Sequence, residues 1–109
     1  MTVLVDLPAA RPGRLAQVLA ATALGAATGD FQTFLRGARA EPLPDGIRLR
    51  VQLDLRTIAR FADLVRVEAD GLAFWSFRVL ADPPECWLEV TGAGDAGALA
   101  RTVFGALGA

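Results

Sequence analysis

Among the 109 residues there is no histidine, tyrosine, lysine or asparagine, one cysteine (Cys86) and one serine (Ser76). Each absence removes a class of chemistry. General acid–base and nucleophilic catalysis draw mostly on those side chains, so carboxylate, arginine, threonine and backbone remain. A lone cysteine builds no disulfide framework, and without histidine it completes no structural zinc site. The aspartates do not fall into the D-x-D-x-D-G spacing of a calcium loop. No metal and no cofactor is expected. No apolar run approaches the ~20 residues of a membrane span. The start, Met1–Asp6, has neither the basic flank nor the cleavage site of a signal peptide. A cytoplasmic protein that makes no membrane contact is expected.

What is present is apolar and nearly neutral. Hydrophobic residues make up 53% of the chain, enough for a single domain of this length to bury a core. All eleven basic residues are arginine, and the shortage of residues with A/T-rich codons is what a GC-rich genome produces. The net charge of −1 exerts no global pull on nucleic acid, and no nucleic-acid partner is expected.

The pattern of apolar residues predicts the order β-α-β-β-α-β-β-α. Thr2–Leu7 is a β-branched strand closed by Pro8. Pro12 and Gly13 open a helix with Leu15, Val18, Leu19 and Thr22 on one stripe. Phe31–Ala38 reads as a strand, and Pro42–Gly46 as a hairpin turn. Ile47, Leu49, Val51, Leu53 and Leu55 alternate with Arg48, Arg50, Gln52, Asp54 and Arg56, so one face of that strand meets a core and the other does not. Thr57 is placed to cap a helix carrying Ile58, Phe61, Ala62 and Val65, ended by Asp70-Gly71. Strands are expected over Leu72–Leu80 and Cys86–Thr91. A last helix follows Asp95, with Leu99, Ala100, Val103 and Leu107 inward. The first six elements have the order of a ferredoxin-like α+β fold, an antiparallel sheet with helices on one face. Residues 1–80 would form that core, and residues 81–109 a strand–helix extension within the same domain, 1–109.

Gly92-Ala93-Gly94-Asp95-Ala96-Gly97 spells G-x-G-x-x-G, but Asp95 would set a negative charge where a phosphate should sit. A tight strand-to-helix turn is the expected role. Cys86 should alternate inward with Leu88 and Val90 as core. The outward sheet face is expected to show Phe34, Arg48, Arg50, Phe74, Arg78 and Trp87. Arginine and aromatics are favoured at protein–protein contacts, so these six residues are the expected interface of a homodimer.

Val3-Leu4-Val5-Asp6-Leu7 followed by Arg11-Pro12-Gly13 and Leu15-Ala16-Gln17-Val18-Leu19 resembles the strand–Arg-Pro-Gly–helix entry of ACT domains, small modules that sense amino acids. Leu43-Pro44-Asp45-Gly46 falls where that family's central hairpin turns. Ala10 stands where the family often has an acid, and the last strand and helix lie outside its pattern. The resemblance implies a non-catalytic sensing dimer with a small-molecule, amino-acid-type ligand near Arg11, Pro12, Gly13 and Leu15. Two alternatives come from other classes: an assembly module that uses the arginine–aromatic face without a ligand, and a small enzyme relying on carboxylate, arginine or a bound cofactor.

Overall fold

Five alternating stretches pair into one antiparallel sheet. The computed structural model describes residues 1–9, 32–70, 72 and 74–107. Its strands are β1 (Thr2–Leu7), β2 (Arg39–Leu43), β3 (Gly46–Gln52), β4 (Ser76–Asp82) and β5 (Glu85–Thr91). Its helices are α1 (Leu55–Asp70) and α2 (Asp95–Leu107), and residues 32–35 are also helical. The sheet order is β1-β4-β5-β3-β2.

The class is α+β, as expected, but this order is not the ferredoxin-like one. The unit β3–α1–β4 has two parallel strands with a gap between them, and in a ferredoxin-like sheet β1 fills that gap. Here β5 fills it, antiparallel to both neighbours. The reason is local. β4 and β5 are joined by the two-residue turn Pro83–Pro84, so β5 reaches the slot with little loop entropy to lose. The strand expected as an extension is therefore the central one. β1 is left at the edge, where its register shifts between Val3 and Val5. Such a bulge frees a backbone carbonyl, and the Arg66 guanidinium of α1 donates to the Leu4 carbonyl at 2.7 Å.

Ile47, Leu49 and Val51 of β3 point to the same side as Phe77 and Val79 of β4 and Cys86, Leu88 and Val90 of β5. Ile58, Phe61, Ala62 and Val65 of α1 and Ala96, Ala100 and Phe104 of α2 pack onto them. Each large apolar side chain so buried contributes about 1.5–3 kcal/mol. No helix among the described residues is long and apolar enough to cross a membrane.

Several predicted boundaries move. The strand expected over Phe31–Ala38 is not formed by its described part, 32–38: residues 32–35 are helical, and Gly37, at φ 75°, ends the turn in the left-handed conformation that glycine tolerates. That geometry lets adjacent Phe34 and Leu35 both meet the core, which a strand would not. The second strand is instead Arg39–Leu43, an edge strand that tolerates Pro42. β3 stops at Gln52, and Leu55 opens α1. The cap is Asp54, not Thr57: its Oδ1 accepts the Thr57 N–H at 2.7 Å. Phe74 lies in a turn, and the Trp75 N–H donates to the Leu72 carbonyl at 3.1 Å. Adjacent Phe74 and Trp75 are thereby both buried, where strand alternation would expose one.

Candidate functional site

The expected ligand loop of Arg11, Pro12, Gly13 and Leu15 lies outside the described residues. Of the expected sheet-face residues, Arg48, Arg50, Arg78 and Trp87 stand on the face that α1 and α2 leave open. Phe74 does not. It is 2% exposed and packs at a tilt against Trp75 with ring centroids 4.5 Å apart. Phe34 lies in the helical turn, half-buried against Phe61 at 5.3 Å. Both placements are corrected, because each ring follows its own turn into the core.

The register arranges the open face in rows. One row crosses all five strands with alternating charge: Asp6, Arg78, Glu89, Arg48, Glu41. The ion-pair distances along it are 3.9, 3.7, 2.6 and 3.7 Å. Glu89, with its side chain 10% exposed, is satisfied by Arg48, which donates from Nε and Nη2. The next row is apolar at one end, with Val3, Leu80 and Trp87, and basic at the other, with Arg50 and Arg39.

The basic end of that row borders a concavity. β3 outruns β2 there: Val51 and Gln52 pair with Cys86 and Glu85 on one side, and β2 begins only at Arg39, opposite Arg50. The notch has a volume of about 490 Å³. Arg36, Arg39 and Arg50 border it, Phe34, Val51 and Leu53 supply apolar wall, and among the described residues no carboxylate lines it. Arg50 Nε is held by Glu85 Oε2 at 2.6 Å, and Gln52 donates to the same carboxylate at 3.3 Å. The Arg50–Glu85 hydrogen bond raises the Arg50 pKa and, with the smaller Gln52 bond, lowers that of Glu85. Arg36 and Arg39 are exposed, and among the described residues no carboxylate pairs with either.

Like charges directly opposite across two strands repel, and Arg39 opposite Arg50 is such a pair. With Arg36 added, the notch has two guanidiniums beyond the one that Glu85 neutralises. A planar guanidinium donates two parallel N–H bonds to a carboxylate or phosphate. The chemistry this arrangement supports is capture of an anion with a small apolar body. Sequence reasoning singled out Arg50 and not Arg39, because the signal lies in the β2–β3 register.

The glycine-rich turn has structural causes throughout. Gly92 donates its N–H to the Asp45 carbonyl at 2.8 Å, docking the β2–β3 turn on the start of α2. A Cβ on Gly92 would meet Ala96 Cβ at 2.7 Å, and one on Gly97 would meet the Asp45 carbonyl oxygen at 2.5 Å. Gly94 has φ 56°. Arg101 of α2 donates to the Leu43 carbonyl at 3.0 Å and completes the dock. Cys86 is fully buried, and desolvation pushes its thiol up to about 11. Among the described residues no three potential metal ligands come together. No family model, curated protein or solved structure matches the chain.

Proposed function

We propose that this protein is a non-catalytic binding module whose ligand is a small carboxylate-bearing metabolite, held in the notch beside β3. The observation that carries this reading is the unbalanced cluster of Arg36, Arg39 and Arg50 around a cavity with no carboxylate among its described lining residues. The ACT resemblance of residues 1–80 implies the same ligand chemistry, an amino-acid-type carboxylate. Among the described lining residues there is no cysteine, carboxylate or near-neutral acid–base group, and the one hydroxyl is that of Thr33, which favours binding over turnover. A lone buried thiol suits the cytoplasm, where it stays reduced.

The test is a thermal-shift screen against amino acids, dicarboxylates and inorganic phosphate, followed by calorimetry. A ligand at a hundredfold excess over Kd stabilises by about 2.7 kcal/mol, which for a domain of this size raises Tm by roughly 10 °C. Arg36→Ala with Arg39→Ala should abolish the shift, and Arg78→Ala, on the neighbouring row, should preserve it. A flat screen with all three anion classes, or a shift that survives the double variant, would overturn the reading.

A further inference from the structure

The sheet face that neither described helix covers has a two-fold self-complementarity that its rows make explicit. In the charged row, three carboxylates and two arginines alternate, so a wholly basic or wholly acidic partner would meet like charges along it. A second copy does not, provided it is offset by one strand. Consider a two-fold axis lying along the strands, midway between β4 and β5. It sets Arg78 opposite Glu89 of the other copy and Arg48 opposite Asp6, and each contact occurs twice. The same axis acts on the neighbouring row. It sets Trp87 against Leu80, again twice, and lays the aliphatic stem of Arg50 along Val3.

Val3 is 47% exposed and open to a partner, whereas Leu80, 8% exposed, is already shielded within the chain and supplies only a floor to the contact. Between them and Arg50, Trp87 supplies the kind of aromatic anchor that dominates interface energetics. We propose that this face is the contact surface for a second copy of this chain, arranged about that axis. Sheets stacked this way keep their strands within about 30° of alignment, so the rows remain in register near the centre.

Size sets the strength. About that axis four strands of each copy, β1, β4, β5 and β3, lie over one another; at about 4.8 Å apart and up to seven residues of about 3.4 Å each, they make a face of roughly 450 Å² per copy. Two such faces total about 900 Å², just under the roughly 1,000 Å² of a stable specific interface and in the range of weak, transient ones. The dimer should therefore dissociate on dilution, with Kd in the micromolar range.

Sedimentation of the full chain over a concentration series tests this. The wild type should pass from monomer to dimer, and Trp87→Ala should raise Kd at least tenfold. Asp6→Arg and Arg48→Glu should each be monomeric, since each sets like charges opposite one another. Mixed in equal amounts, those two variants should restore a heterodimer. One of its two contacts then pairs the introduced arginine with the introduced glutamate, and the other pairs native Arg48 with native Asp6. Circular dichroism confirms that each variant is folded, and Val3→Arg replaces any that is not. A wild type that stays monomeric to millimolar concentration overturns the proposal. So does a dimer indifferent to Trp87→Ala and Asp6→Arg, or a mixture that fails to associate.

Discussion

Two glycines in α2 should respond to alanine with opposite sign. At Gly97 the added Cβ would lie 2.5 Å from the Asp45 carbonyl oxygen, 2.8 Å from the Asp45 carbonyl carbon and 2.8 Å from the Gly92 carbonyl oxygen. All three are backbone atoms, so no rotamer change relieves the contact. The β2–β3 turn must withdraw from the helix, stretching the Gly92 N–H bond to Asp45 and the Arg101 bond to Leu43. Overpacking of this kind costs about 1–3 kcal/mol. Against it stands the helical preference of alanine over glycine, about 0.5–1 kcal/mol. The net expectation for Gly97→Ala is a loss of about 1–2 kcal/mol.

At Gly105, among the described residues, the same methyl would meet only Ile47 Cδ1, at 3.6 Å, which is ordinary contact. There the helical preference acts unopposed, and Gly105→Ala should gain about 0.5–1 kcal/mol. Urea denaturation followed by circular dichroism resolves both, as midpoints moving in opposite directions at unchanged m-value. If Gly97→Ala proves as stable as the wild type, the hairpin tip does not rest on the helix start. The G-x-G-x-x-G run would then owe nothing to that contact.

Two further predictions concern titration and reactivity. Asp54 has its pKa lowered chiefly by the Thr57 backbone N–H, and Glu85 has its pKa lowered chiefly by Arg50. A carboxyl whose folded pKa lies below its unfolded value adds stability that is complete above the unfolded pKa. That stability is lost as pH falls through the folded one. Thermal midpoints taken from about pH 7 down to about pH 3 should therefore decline below the ordinary carboxylate range, and less steeply in Asp54→Ala; an unchanged slope in that variant would remove Asp54 from the account. For Cys86, a thiol near pKa 11 is about one part in a thousand thiolate at pH 8. Labelling by a disulfide reagent should be suppressed in the native protein and become rapid in urea, whereas fast native labelling would contradict its burial.

How much of this was legible before the fold depends on the range of the interaction that decides each feature. β3 shows itself in Ile47, Leu49 and Val51 alternating with Arg48, Arg50 and Gln52, because burial on one face is written at period two. The helix carrying Ile58, Phe61, Ala62 and Val65 is equally plain at its own period. The segment Gln32-Thr33-Phe34-Leu35 misleads because four residues satisfy either period. What decides it is Gly37, whose left-handed conformation ends a helical turn and has no place in a regular strand. Phe74 and Trp75 defeat alternation for a similar reason, since a pair of neighbouring rings can both be buried only by leaving the strand.

Sheet order is different in kind. Nothing in β1 or β5 alone states which of them lies between β3 and β4. The contest is won by the shorter connection, Pro83–Pro84, and by the fact that β5 buries Cys86, Leu88 and Val90 on the helix side while β1 buries only Val5. A strand with so little to bury is stable at an edge and wasteful at a centre. The arginine notch follows from that same order. Had β2 matched β3 in length, Val51 and Gln52 would have been covered and no cavity would border Arg50. The opposition of Arg39 to Arg50 exists only because the two-residue turn at Pro44–Asp45 sets the β2–β3 register. A one-residue slip would turn Arg39 to the other face. The cationic cluster is therefore a product of turn geometry, which explains why no run of basic residues announces it in the chain.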